Sequence, residues 1–227
     1  VNAGMTQAQA TGFGLSTSLP GQDLDGPAGG RLVGANFDIG AYESALDNGA
    51  GTTLTVVNSN DSGAGSLRQA ILSANASPGA QTVQFNIAGT CPRIILLDTP
   101  LPDVLDDLVI DGYTQPGASP NTAANGSDAQ LCIVVGASAA AGTLAQALQV
   151  PNAASSGTSL GVKGIAFSGS TGFNGNFTVA LRLRGGSNHL IQGNAFAGTG
   201  PGSIGSLGTM GFGIQIRDSA QDALIGG

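Results

Sequence analysis

The sequence predicts an all-β protein that folds as a parallel β-helix, a solenoid of short stacked strands with a short N-terminal capping helix. Three observations support this prediction. The composition is unusual, with 9% charged residues, 38 glycines and 41% hydrophobic residues among 227. Short apolar runs end repeatedly at glycine, proline, aspartate or asparagine, and part of the sequence repeats. A chain with so few charges must satisfy its backbone through dense, regular hydrogen bonding, which stacked strands provide.

The composition divides the chain into three parts. Residues 1–44 are rich in loop-forming residues, and residues 45–53 form a small, polar and unpatterned linker. A new module, residues 54–227, starts with the strand-like segment LTVVNS. The chain contains no run of about 18 apolar residues, so the sequence predicts no transmembrane segment.

One helix is predicted, directly after the first strand of this module. Ser66 and Gln69 fit an S-x-x-Q capping box. The apolar residues that follow at helical spacing are Leu67, Ala70, Ile71 and Ala74. We expect this short amphipathic helix to cover the open end of the hydrophobic stack, because repeat folds need polar end caps.

Two segments of the module recur further along the chain. Residues 162–169 are similar to residues 191–198 at an offset of 29. Residues 181–184 are similar to residues 214–217 at an offset of 33, which also aligns Gly193 with Gly226. Self-similarity at a period of about 20–50 residues is typical of solenoids and propellers. The variable offset favours a β-helix with inserted loops, because a propeller would show a more uniform period.

Several segments resemble a known family. The stretches LTVVNSNDSGAGSLRQAILSANASPGAQTVQFNIAG, DLVIDGYTQPGASPNTAANG and GNAFAGTG are similar to bacterial right-handed parallel β-helix repeat proteins. Residues 23–44, with DIGAYE, resemble the closing segment of such a β-helix, and residues 54–227 the opening of another that is truncated at its C-terminal end. The resemblance implies a right-handed helix and a secreted or cell-surface location. It implies no single reaction, since fold does not fix function.

Basic residues form the first candidate site. If Leu181 and Leu183 point inward, Arg182 and Arg184 point outward, and the repeat places Arg217 beside Arg184. The further members of this predicted outward patch are Lys163, on the other repeated strand, and His189, in the connecting turn. Arginine forks suit the carboxylates and sulfates of an anionic glycan. The alternative is ordinary solvated charge, with Arg217 neutralised by the adjacent Asp218.

Acidic residues form the second candidate site. The cluster contains Asp98, Asp103, Asp106, Asp107 and Asp111, of which the last four are the candidate metal ligands. Closely spaced carboxylates could bind Ca²⁺, although the spacing is not that of an EF-hand. The alternative is turn-forming aspartates that accept local backbone hydrogen bonds. No other cofactor is expected.

Two cysteines, Cys91 and Cys132, are present. They could bridge neighbouring coils, or they could be two small buried thiols.

The sequence therefore favours a noncatalytic structural or adhesive module. We expect it to bind a cell-surface or extracellular polysaccharide along its flank and to contact neighbouring β-helix modules or chains. The alternative is a polysaccharide lyase or another carbohydrate-active enzyme. The formal net charge of −7 argues against nucleic acid as a partner.

Overall fold

The computed structural model of the chain describes residues 32–33, 36–37, 51–77, 79–154, 157–168, 176–196 and 212–226. The chain divides into two compact units, Val1–Thr52 and Thr53–Gly227. Within the described ranges, no helix is long and apolar enough to cross a membrane.

The described residues of the first unit form one small sheet. Strand β1, Leu32–Val33, pairs antiparallel with strand β2, Asn36–Phe37. The rest of the predicted closing segment, residues 23–44, and most of the linker, residues 45–53, lie outside the described residues. Their assignment stays a prediction.

The second unit begins with strand β3, Thr53–Val56, followed by helix α1, Leu67–Ala76. The predicted cap is confirmed, because the Ser66 side chain accepts a hydrogen bond from the Gln69 backbone N–H. The Gln69 side chain does not complete the box, because the Ser66 backbone N–H donates to the Gly63 carbonyl at 3.2 Å instead. The predicted apolar face is buried, and it comprises Leu67, Ala70, Ile71 and Ala74. The helix packs against β3 and the following strand, β4.

The described residues of this unit contain twelve further strands. Their bounds are β4 Gln81–Phe85, β5 Arg93–Leu97, β6 Leu108–Asp111, β7 Ile133–Ala137, β8 Thr143–Val150, β9 Leu160–Lys163, β10 Ile165–Ser168, β11 Asn176–Leu183, β12 Leu190–Gln192, β13 Ala195–Phe196, β14 Phe212–Ile216 and β15 Leu224–Gly226. A 3₁₀ turn, Gly112–Thr114, follows β6.

The strands of the second unit form three parallel sheets. A six-stranded sheet has the order β15-β12-β9-β6-β4-β3, a four-stranded sheet the order β13-β10-β7-β5, and a three-stranded sheet the order β14-β11-β8. From β7 onward the chain enters the four-, three- and six-stranded sheets in turn. Apolar residues from all three sheets and from one face of α1 join in one buried cluster.

This arrangement corrects the predicted fold class, an all-β right-handed parallel β-helix. The described chain is a mostly β fold of three parallel sheets with one helix, and the length of chain between paired strands varies. In the six-stranded sheet, Leu54 pairs with Val83, 29 residues further on, whereas Ile110 pairs with Val162, 52 residues further on. A solenoid stacks repeats of similar size. Here the chain segments that connect paired strands differ in length, so the strands are not spaced as in such a repeat.

The 29-residue repeat corresponds to neighbouring strands. Val162 in β9 pairs with Ile191 in β12, and Phe167 in β10 pairs with Phe196 in β13. The two phenylalanine rings stack with their centroids 5.5 Å apart. Sequence similarity at this offset therefore reflects side chains that occupy the same place on adjacent strands.

The second repeat is confirmed only over its first strand. Leu181 in β11 pairs with Ile214 in β14, at the predicted offset of 33. Gly226 then pairs with Gln192 rather than with Gly193. The loop before β15 is one residue longer than its counterpart before β12, so the predicted alignment of the glycines is wrong by one position.

Arg68 of helix α1 ties three segments together. Its guanidinium donates to the Asp61 carboxylate at 2.6 Å and to the Asp61 backbone carbonyl at 3.0 Å. It also donates to the carbonyls of Pro100 at 2.6 Å and Thr99 at 2.8 Å. The side chain is 15% exposed. A single charged group thus fixes the loop before the helix and the loop after β5 to the helix itself.

Three side-chain amides replace a missing strand partner. Each amide donates to a backbone carbonyl and accepts from a backbone N–H of a neighbouring segment, as a paired strand would. Asn75 binds Asp103 and Leu105, Gln115 binds both groups of Ile87, and Asn194 binds Val162 and Ile165. These amides satisfy the backbone where the chain leaves a sheet.

A disulfide joins Cys91 to Cys132. Of the two alternatives for these cysteines, the structure has the bridge. The cysteines precede β5 and β7, which are adjacent parallel strands with Arg93 opposite Ile133. The bond closes a loop with a sequence separation of 41 residues and fixes the entry to the four-stranded sheet.

Candidate functional site: a basic flank on the three-stranded sheet

The outer face of the three-stranded sheet carries Arg182, Arg184 and Arg217, which together we call the basic flank. Leu181 and Leu183 of β11 are fully buried, so the alternating arginines lie on the opposite face, as the sequence predicts. The backbone N–H of Arg217 donates to the Leu183 carbonyl at 2.9 Å. Arg184 and Arg217 therefore lie side by side, each directly after the end of its strand, β11 or β14.

Arg182 is held by the protein itself. Its Nε donates to Oε1 of Gln215 at 3.1 Å and its Nη1 to Oε1 of Gln146 at 2.9 Å. Its Nη2 donates to the carbonyl of Ala145 at 3.2 Å. On the other side, Gln149 lies in register with Arg182. The guanidinium is thus one member of a polar row that crosses the sheet.

Arg184 and Arg217 share one carboxylate. Oδ2 of Asp218 accepts from Nε of Arg184 at 2.6 Å, and Oδ1 accepts from Nε of Arg217 at 3.4 Å. The arginine side chains are 38% and 54% exposed. Among the described residues, the terminal Nη atoms of both arginines make no hydrogen bond within the protein. The two forks are consequently open to a ligand.

The electrostatics of this pair favour an ionised Asp218. The hydrogen bond from Arg184, together with the positive charges of Arg217 and Arg184, lowers the pKa of the Asp218 carboxyl below its ordinary value, and partial desolvation opposes that shift. Two guanidiniums and one carboxylate leave a net positive charge at this point of an acidic protein. The arrangement can bind an anion but supplies no free base.

Lys163 lies outside the basic flank. It is on β9 of the six-stranded sheet, where its Nζ binds Oδ2 of Asp111 at 2.9 Å. Asp111, Lys163 and Gln192 occupy one row across that sheet. The predicted basic patch is therefore divided between two sheets, and its lysine is already paired with a carboxylate.

His189 is buried rather than displayed. It lies in the turn between β11 and β12 and is 1% exposed. Its Nδ1 accepts from the backbone N–H of Leu160 at 3.2 Å, and its Nε2 lies 3.0 Å from the carbonyl of Gly185, to which it donates. The ring joins two segments of backbone, so we assign it a structural role instead of ligand binding.

We expect acid to destabilise the protein through His189. Burial lowers the pKa of the ring below its ordinary value of 6.5, although the bond to Gly185 opposes this shift. Since the unfolded chain then takes up the proton first, stability should fall as the pH drops below about 6.5 toward the folded-state pKa. The free energy of unfolding at pH 7.5 and 5.5 measures the loss.

The chain has a single histidine, which makes this experiment specific. His189→Gln should have lower stability at pH 7.5 but no further loss at pH 5.5. An equal loss in the variant and in the wild type between these pH values would contradict the assignment, because another group would then be titrating.

The candidate metal ligands each have a separate partner. Asp103 accepts from Gln149, Asp106 from the backbone of Gly79, Asp107 from Ser159, and Asp111 from Tyr113 and Lys163. Asp98 accepts from the Ser138 hydroxyl. In the described part of the chain, no three acidic, histidine or cysteine side chains come together as a metal site. The structure thus shows these aspartates as turn and strand connectors.

Sequence reasoning missed part of the flank. Local patterns indicate Asp218 only as a neighbour of Arg217, and they do not indicate the glutamines Gln146, Gln149 and Gln215. The register of β8, β11 and β14 carries that information, and β8 was not predicted.

The chain matches no model of a protein family, no curated protein and no solved structure. The resemblance to bacterial repeat proteins therefore stays a prediction from the sequence.

Proposed function

We propose that this chain is a noncatalytic module of an exported or cell-surface protein, and that it binds an acidic polysaccharide on the basic flank. One observation carries the proposal: Arg184 and Arg217 lie side by side, each directly after one of two adjacent parallel strands, and their side chains are 38% and 54% exposed. Adjacent strands are about 4.8 Å apart. Two guanidiniums at such a spacing can hold one carboxylate or sulfate group between them.

The residues beside the arginines of the basic flank can form hydrogen bonds to a sugar. Gln149 and Gln215 lie on either side of Arg182 in the same row, and amide groups can donate to hydroxyls as well as accept from them. A parallel sheet is a rigid support, because every strand is fixed by its neighbours. An extended polymer could therefore lie across the strands and meet the charged and amide groups in sequence.

Export is supported by the Cys91–Cys132 disulfide. Structural disulfides form and persist in oxidising compartments and are rare in the reducing cytosol. Acidic polysaccharides are abundant in the extracellular environment that such a protein would meet.

A binding role fits the flank better than a lyase role. A lyase needs a base that removes a proton next to the substrate carboxylate. Arg182 already makes three hydrogen bonds, and Asp218 is engaged by two guanidiniums. The groups that remain exposed are permanently charged donors, which bind anions without transferring protons.

The test is binding to pectate and to chondroitin sulfate at low ionic strength, measured by affinity electrophoresis. We expect retardation by at least one polymer, weakened about tenfold in the double variant R184A/R217A, because two charge-assisted contacts are lost. Lys163→Gln on the six-stranded sheet is the matched control, since it removes one positive charge from another face, and it should bind as the wild type does.

The same samples are assayed for unsaturated products by ultraviolet absorbance. Absence of retardation by both polymers would overturn the proposal. Unsaturated products that disappear in R184A/R217A would replace it with a lyase.

A further inference from the structure

Asp218 lies where the proposed ligand would place its own anionic group. Each of its two carboxylate oxygens faces the Nε of a different arginine. A carboxylate between two guanidiniums is the arrangement that we ascribe above to a bound uronate. The protein therefore supplies one anion to its own site.

Hydrogen bonds that do not involve the Asp218 side chain also hold this loop. The backbone N–H of Ser219 donates to the Arg184 carbonyl at 3.0 Å, and that of Ala220 to the Arg217 carbonyl at 3.3 Å. The Ser219 hydroxyl also donates to the side chain of Asn152 at 2.9 Å. These bonds fix the turn through its backbone and its serine, so the Asp218 carboxylate is left for the arginines.

We propose that Asp218 is an internal competitor that sets the anion specificity of the basic flank. This inference rests on the proposed function and deepens it. A ligand group with a single diffuse negative charge has to compete with a carboxylate that is covalently tethered at the site. A polymer with closely spaced anionic groups can instead bind the open Nη forks of Arg184 and Arg217 and gain from several contacts at once.

Two consequences follow from this competition. Removing the charge of Asp218 should strengthen binding of every anion and should reduce the preference for densely charged polymers. Both effects should diminish as salt is added, because the pairs involved are partly exposed to solvent.

The variant Asp218→Asn tests this directly. Asp218 has a backbone φ of +58°, and asparagine accepts this left-handed conformation about as well as aspartate does, so the fold should be kept. The matched control is Asp222→Asn. Asp222 is in the same loop, has a φ of +50° and loses the same charge, but it makes no ion pair with the flank arginines.

The measurement is the dissociation constant for a densely sulfated dextran and for a sparsely carboxymethylated dextran, by titration calorimetry at low and high salt. We expect Asp218→Asn to bind the sparse polymer about fivefold more tightly than the wild type, as the loss of one or two surface ion pairs implies. Asp222→Asn should change the constant by less than about twofold, since only the net charge differs.

The outcomes separate this inference from the proposed function. If the wild type binds and Asp218→Asn binds no more tightly than Asp222→Asn, the competitor role is wrong and the binding function stands. If only Asp218→Asn binds, the competitor role stands and the wild-type function is wrong. If neither protein binds either polymer, both proposals are overturned.

Discussion

Replacing Arg68 by alanine should lower the free energy of unfolding by about 3 kcal/mol. The guanidinium makes four hydrogen bonds, one to the Asp61 carboxylate and three to backbone carbonyls of Asp61, Thr99 and Pro100. Its removal leaves a partly buried carboxylate without its counterion and three carbonyls without a donor, and removing one partner of such a pair costs several kcal/mol. Urea unfolding followed by circular dichroism measures the change.

Two variants make this experiment decisive. Arg68→Lys keeps the charge but loses the planar fork, so it should recover less than half of the lost stability. Arg217→Ala removes a more exposed arginine, 54% exposed, and should cost less than about 0.5 kcal/mol. If Arg68→Ala were as stable as Arg217→Ala, the idea that Arg68 joins three segments would be wrong.

Loss of the disulfide should have an effect of similar size. Cys91 and Cys132 are separated by 41 residues, and closing a loop of that length removes conformational entropy from the unfolded chain worth up to about 4 kcal/mol. Unfolding of the wild type with and without reductant should show this difference in free energy. The double variant C91A/C132A should resemble the reduced wild type and should not respond to reductant. Equal stability of the oxidised and reduced forms would contradict the prediction.

Local patterns predicted individual elements well. The capping serine, Ser66, and the buried face of α1 were readable because a helix start and its 3.6-residue period depend on neighbours in sequence. The strand around Val83 and the one ending at Leu97 were readable because β-branched and aliphatic residues cluster between turn formers.

Strand β8, Thr143–Val150, was not predicted, and it shows the limit of local patterns. Its sequence, TLAQALQV, is rich in alanine, leucine and glutamine, which are good helix formers. Parallel pairing with β11 decides its conformation, and that pairing depends on residues about 33 positions away. The fold class was also misjudged, because two similar segments suggested a uniform repeat that the other connections do not keep.

The candidate site was predicted in part. Alternation identified the outward side chains of β11, and the 33-residue offset placed Arg217 beside Arg184. The pair of Lys163 and Asp111 was not predictable, because the two residues meet on neighbouring strands and are 52 residues apart in the chain. The burial of His189 was not predictable either. Residues in turns are usually exposed, and the backbone groups that bind this ring are known only from the structure.

The unequal connections between paired strands have a consequence for how such a chain can evolve. Ile110 and Val162 remain partners although the chain between them builds two further strands and a long loop. Doubling the length of a flexible loop costs only about 0.6 kcal/mol, whereas shifting a strand by one residue turns its apolar side chains outward. Insertions and deletions should therefore be tolerated between strands and eliminated within them. Descendants of this protein would then diverge in the length and sequence of their loops, while the buried residues of the strands would stay the same.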